Sequence, residues 1–334
     1  MNIGLFSSYG MKCGIAEYSL ELGRALNRIG HYVTIFGNRR DTVRPDRTFC
    51  LADIDPRDTI EYVPCFNAGA WCRDSAFDFP LLFRELEARR IEAVIVQYQN
   101  GIFHDTELRR LLAHCSDRRI EVLVTLHDSC IGPDFPFEWI RHFVSHANIS
   151  DRCHRLPFGV PKRVEEDKEA LKQRYQLAGP LIATLGLGRT DYSLISRVAG
   201  DIGYRFMAID PANSCRVDGE HLIRVTQWLT TDELTSRLAA SDAIVLWYPD
   251  TDATVHSSAI CVALASSRPV IVNDVSWFKD IPGDVVIKVR NEEELRSVLS
   301  DASRLRDNAK QADYVRDNQW EHIASRYAAI LTSA

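Results

Sequence analysis

The sequence has no Cys-x-x-Cys pair, no apolar run of membrane-spanning length, no low-complexity tract and no short-period repeat. Each absence removes a class of protein. The nine cysteines are an odd, scattered set, which argues against a disulfide framework or zinc knuckle and for a reduced, cytoplasmic protein. No stretch approaches the roughly 20 apolar residues of a spanning helix. No secretory apolar region follows Met1, so export is not expected. Positive charge is also short. Forty Lys and Arg against 46 Asp and Glu give a formal net charge of −6, without the basic face that a nucleic-acid partner requires. What is present suits a globular chain, with 26% charged and 46% apolar residues. Its 334 residues are about twice a common domain length, so two domains are the default.

Short β-branched runs alternate with helical stretches. The runs fall at 2–7, 31–37, 92–98 and 120–128, then again at 181–188, 204–210, 220–227, 242–248, 269–274 and 284–289. Continuous apolar runs of this kind suit strands buried on both faces of a parallel sheet. Between the two series lies "RLPFGVPKRVEEDKEALKQRYQLAGP", with its prolines, glycines and charged helical run, a natural boundary. The expected architecture is α/β: two doubly wound, Rossmann-like domains, 1–160 and 161–317, facing a cleft, with ligands at the C-terminal ends of the strands. A terminal segment, 318–334, carries Trp320, Ile323, Tyr327 and Ile330 at helical spacing, so it is expected to dock on a core, that of the N-terminal domain being one option.

The stretch "CGIAEYS" (13–19) places Gly14 between the first strand and the first helix. Gly14 either lets the backbone turn sharply or opens a helix N-terminus to phosphate; one glycine decides neither. "VTLHD" (124–128) puts His127 and Asp128 at the end of an apolar strand, and "LGLGR" (185–189) puts Arg189 after another.

Taken in order, several pieces resemble one family. They are "GIAEYSLELGRALNRIGHYVTIFG", "AVIVQYQNGIF" (93–103), "VTLHD", "LPFGVP" (156–161) and "LTSRLAASDAIVLWYPDTDATVHSSAICVALASSRPVIVND" (234–274). Their order and spacing over most of the chain are similar to the two-domain GT-B glycosyltransferases, particularly the large retaining group called family 4. The resemblance implies transfer of a hexose from a nucleotide-diphosphate sugar to a glycan or lipid-linked acceptor in glycan assembly. It implies retention, with the donor phosphate assisting the incoming hydroxyl, and neither cofactor nor metal. Helix N-termini and basic side chains would neutralise the diphosphate instead.

The same resemblance assigns roles. Gly14 lies beneath the sugar and β-phosphate. His127 hydrogen-bonds the donor sugar, against the alternative of a structural histidine satisfied by a carbonyl. Asp128 orients that ring or caps the next segment. Arg189 forks onto the diphosphate or is a solvated arginine. Trp228 flanks the base or packs in the core. Thr254, His256, Ser257 and Ser258 form the donor loop, where Ser257 or Ser258 caps a helix whose amides face phosphate. Glu17, Tyr18 and Gln99 fall on the acceptor side, and for Glu17 and Tyr18 packing or capping is the plainer role.

Four positions depart from the family pattern. The two expected glutamates align with Thr254 and Val262, a lysine expected after Arg189 falls near Tyr192, and the histidine of "P-H-G-V" is Phe158. "DTD" (250–252) is a metal motif only in another fold, and "GLG" lacks the third glycine of a dinucleotide fingerprint. The lost carboxylates keep two rivals open: a catalytically silent binding subunit and a sugar-nucleotide epimerase of the same fold. A peripheral membrane contact through Arg39–Arg40 and Arg89–Arg90 is weighed against solvated faces.

Overall fold

A computed structural model describes residues 1–42, 51–52, 58–67, 76–132, 134–147, 149–186, 188–253, 255–305 and 308–333. The chain divides into two compact units, one of Met1–Gly159 with Ala253–Val255 and Trp320–Ala334, the other of Val160–Asp252 and His256–Gln319.

The first unit is a parallel seven-stranded sheet. Its strands are β1 (Asn2–Phe6), β2 (Tyr32–Arg39), β3 (Glu61–Asn67), β4 (Ala93–Tyr98), β5 (Glu121–Leu126), β6 (His142–Ser145) and β7 (Cys153–Arg155), in the order β3-β2-β1-β4-β5-β6-β7. The chain grows outward from β1 in one direction, then returns to β4 and grows the other way. That reversal between β1 and β4 is where a doubly wound sheet opens its ligand crevice. Ile3, Leu5 and Phe6, with Val94–Val96 and Leu123–Val124, are fully buried, as the apolar runs require.

Helices α1 (Gly14–Arg28), α2 (Phe79–Ala88) and α3 (Asp105–Asp117) connect the strands. The terminal helix α10 (Trp320–Thr332) belongs to this unit and lays Trp320 against Gly159, where a Cβ would come within 2.2 Å of the indole. Strands β3, β6 and β7 have no counterpart among the runs expected from sequence. They are short or edge strands. β3 carries Pro64, which an outermost strand tolerates because one side of it needs no ladder partner.

The second unit is a parallel six-stranded sheet, ordered β10-β9-β8-β11-β12-β13. After α4 (Lys168–Arg174) come β8 (Leu181–Leu185), α5 (Tyr192–Asp201), β9 (Arg205–Ile209), β10 (Leu222–Val225) and α6 (Thr231–Ala239). There follow β11 (Ala243–Leu246), α7 (Ser258–Ala265), β12 (Val270–Asn273), β13 (Ile287–Val289), α8 (Glu292–Ser300) and α9 (Ala309–Asp317). Here the reversal lies between β8 and β11. Asp191 begins α5 by accepting from the Leu194 amide at 3.0 Å, and Asp242 anchors the opposite end of the sheet by binding Lys172 and the Leu181 amide.

Candidate functional site

In the first unit, the loops after β1, β4 and β5 meet at the reversal point. The turn after β1 takes its positive φ at Gly10 (60°), while Gly14 is the first residue of α1. The tight backbone expected of Gly14 therefore belongs to Gly10. The cap of α1 is Cys13, whose Sγ accepts from the Ala16 amide at 3.3 Å. Burial pushes that thiol up, so it stays neutral.

His127 stands just past β5, half-buried, with Nε2 2.7 Å from Oε1 of Gln97. Gln97 is itself fully buried on β4, one strand away. With Oε1 accepting, the imidazole carries its proton on Nε2. The ring also meets the edge of Tyr18, centroids 5.1 Å apart. Tyr18 is buried among His127, His146, Phe158 and Trp320. Its hydroxyl lies 2.9 Å from that of Tyr327, which in turn lies 2.9 Å from Oγ1 of Thr125. Tyr18 is thus a packing residue that braces His127. Glu17 is half-buried in the first turn of α1, where a carboxylate suits the helix dipole.

Asp128 accepts from the Cys130 amide at 3.0 Å, the capping role, and pairs through its backbone with Val255 of the same unit. Gln99 is half-buried in the turn after β4, its carbonyl accepting from Ile102 at 3.0 Å. A second histidine, His146, follows β6 with its ring centroid 5.6 Å from that of His127. Its Nδ1 donates to the Leu156 carbonyl at 3.0 Å, and burial lowers its pKa to about 4. The basic pairs are largely engaged locally. Arg39 binds Asp41, Arg40 donates to the carbonyls of Gly10 and Ala52, and Arg89 binds Glu61 and Glu85.

In the second unit, the loops after β8, β11 and β12 converge. Exposed Arg189 lies with its guanidinium carbon 4.4 Å above the Trp277 ring. Gly186 is required here, since a Cβ would meet Oγ1 of Thr190 at 2.2 Å, and Gly188 has φ of 81°. After β11, Tyr248 is gripped by Asn273, which accepts from its amide at 3.0 Å and donates to its carbonyl at 2.7 Å. Ser257 occupies the N-cap position of α7 but makes no capping bond. Its hydroxyl lies 3.5 Å from that of buried Tyr248. The expected serine cap is therefore not formed by Ser257, and Ser258 is already helical.

His256 lies 3.9 Å from Sγ of Cys261, and Val262 is half-buried on α7. Thr254 lies outside the described residues. Asp250 is a turn residue: its carboxylate accepts from the Thr251 and Ser276 amides, both at 2.9 Å, which holds it below the usual carboxylate range. Trp228 is half-buried beyond β10, the edge strand two positions from β8. Among the described residues, no helix is long and apolar enough to cross a membrane.

No protein-family model matches the chain. Solved structures do. An alpha-glucosyltransferase in complex with UDP and a 13-mer DNA containing an HMU base is 11% identical, with a TM-score of 0.62 over 100% of this chain and 99% of the other. WaaG, a glycosyltransferase involved in lipopolysaccharide biosynthesis, is 11% identical, with a TM-score of 0.58 over 99% and 100%. The trehalose-6-phosphate synthase OtsA is 12% identical, with a TM-score of 0.60 over 100% and 99%.

The fold is that of the GT-B glycosyltransferases. As in a GT-B chain, each unit here is one doubly wound half, and the marked residues sort by half. Gly14, Glu17, Tyr18, Gln99, His127 and Asp128 gather at the loop ends of the first unit, and Arg189, His256, Ser257 and Ser258 follow strands of the second. Trp228 follows β10, the edge strand of the same unit. The sequence reading missed Gln97, His146 and Trp277. For Gln97 a signal existed: a glutamine interrupting the apolar run "AVIVQY". Nothing marks His146 or Trp277 before tertiary structure brings their partners.

Proposed function

We propose that the chain is a glycosyltransferase that moves a hexose from a nucleotide-diphosphate sugar to a glycan or lipid-linked acceptor, without a metal and with retention. The observation that carries the proposal is the likeness over 98–100% of the chain to structures named as glycosyltransferases, among them UDP complexes. In this reading the second unit binds the donor. Arg189 forks onto the diphosphate, and the first-turn amides of α7, which Ser257 leaves uncapped, face its oxygens. His127 hydrogen-bonds the hexose, with Gln97 fixing its ring. The donor phosphate takes the proton of the acceptor hydroxyl as the glycosidic bond forms and the nucleoside diphosphate leaves, so no protein nucleophile is needed. The net charge of −6 disfavours a nucleic-acid partner such as the DNA in the alpha-glucosyltransferase complex.

A second reading, a silent binding subunit, is favoured by one observation: Val262 stands on α7 where the resemblance expects a glutamate. Release of nucleotide from UDP-, GDP- and ADP-hexoses, with and without acceptor glycans, separates the readings. Acceptor-dependent release supports transfer. Tight binding without turnover supports the silent subunit, and acceptor-free isomerisation supports an epimerase.

A further inference from the structure

We infer that Trp277 is a positioning residue for Arg189, a fixed indole shelf that holds an unpaired guanidinium ready for the diphosphate of a nucleotide. The inference rests on the donor reading above and deepens it.

The first observation is what Arg189 lacks. In the same unit Arg163, Arg205 and Arg268 donate to a hydroxyl or carbonyl. Arg197, Arg237, Arg290 and Arg296 each bind a carboxylate (Glu292, Glu233, Glu294, and Asp201 with Glu292), Arg237 while it lies 4.6 Å over the Tyr175 ring. Among the described residues Arg189 forms no such pair, although it is exposed and lies over an aromatic ring at 4.4 Å. Stacking uses the face of the guanidinium and leaves its edge, with the N–H donors, available to a planar fork of oxygens. A carboxylate partner would occupy that edge.

The second observation is how firmly the shelf is built. Nε1 of Trp277 donates to the Pro249 carbonyl at 3.1 Å, and Tyr248 meets the ring edge-on, with 85° between the planes. The preceding amide, Ser276, donates to Asp250 at 2.9 Å, and the following residue, Phe278, is fully buried. Asn273 in turn clamps Tyr248 from β12. Arg189 follows β8 and Trp277 follows β12, and β11 lies between those strands, so the stacked pair spans the C-terminal end of the central strand. That is where a doubly wound sheet presents its ligand. A long exposed arginine otherwise loses rotamer freedom on binding; a shelf removes part of that cost beforehand.

The test is a double-mutant cycle read by calorimetry with UDP, GDP and ADP as probes. In the wild-type background, Trp277→Leu is expected to weaken the preferred nucleotide about two- to fivefold, and Trp277→Phe, which keeps a π face, to weaken it less. In the Arg189→Ala background, Trp277→Leu is expected to change nothing further. Equal losses in both backgrounds, or no loss in either, would overturn the shelf while leaving the donor reading intact. A wild-type protein that binds none of the three nucleotides would remove the donor reading and the shelf together. Should the leucine variant fail to fold, Arg189→Ala measured in the wild-type and Trp277→Phe backgrounds completes the cycle.

Discussion

His127 gains its character from its neighbours: Gln97 at one ring nitrogen, and the rings of Tyr18, His146 and Phe158 around it, with centroids 5.1, 5.6 and 6.3 Å away. If it hydrogen-bonds the donor hexose, His127→Ala should lower kcat about ten- to a hundredfold while changing nucleotide affinity little. Steady-state kinetics beside UDP calorimetry checks this; an unchanged kcat removes His127 from the site. Arg189→Ala is expected to act oppositely, weakening nucleotide binding by about 1–3 kcal/mol. Equal calorimetric affinity would reject that role.

His146 makes a prediction independent of any ligand. Its pKa falls from the usual 6.5 to about 4 in the fold, so the unfolded chain takes up the proton first as pH drops. The sign follows: the stability linked to His146 is fully present above pH 6.5 and is lost as pH falls toward 4, on the order of 3 kcal/mol in all. Denaturant midpoints between pH 7 and pH 4 should show that slope, and His146→Gln should flatten it. A variant with the wild-type slope contradicts the assignment.

At the scale of elements, the central strands were legible and the peripheral ones were not. β1, β4, β5, β8, β11 and β12 are covered on both faces, so their sequences read as near-continuous apolar runs. β3, "EYVPCFN", is exposed at Glu61 and Pro64 and only partly buried at Tyr62 and Asn67, and β7 is only three residues, "CHR", so neither leaves a comparable run. Helix starts were partly legible. Asp191, Thr230 and Asn291, not singled out from sequence, cap their helices through side-chain oxygens. Ser257, which was singled out, makes no capping bond and has its hydroxyl toward Tyr248. Side-chain pairs across the sheet, Gln97 with His127 and Arg189 with Trp277, carry no sequence signal because topology alone makes them neighbours.

The terminal helix α10 is the element whose role can be measured directly. Gly159→Ala would drive a Cβ into the Trp320 indole and is expected to destabilise the chain by about 1–3 kcal/mol. Tyr327→Phe keeps the ring but removes the buried hydroxyl that links those of Tyr18 and Thr125, also at a cost of about 1–3 kcal/mol. Thermal unfolding of both variants checks the docking. Wild-type midpoints would contradict it.

For the whole molecule, two series of strands separated by a Pro- and Gly-bearing linker were enough to read a double Rossmann chain, because alternation and length survive without any alignment. The acceptor was not legible. Recognition of an acceptor depends on loop surfaces, and the likenesses over the full chain span proteins named for DNA, lipopolysaccharide and trehalose phosphate. The donor side is the sharper claim. It is tested most directly by acceptor-dependent release of nucleoside diphosphate from UDP-, GDP- and ADP-hexoses in excess EDTA, with wild type beside His127→Ala and Arg189→Ala. Wild type should turn over one donor despite the chelator, and both variants should lose most of that rate. No turnover of any donor, or variants as fast as wild type, would contradict the account.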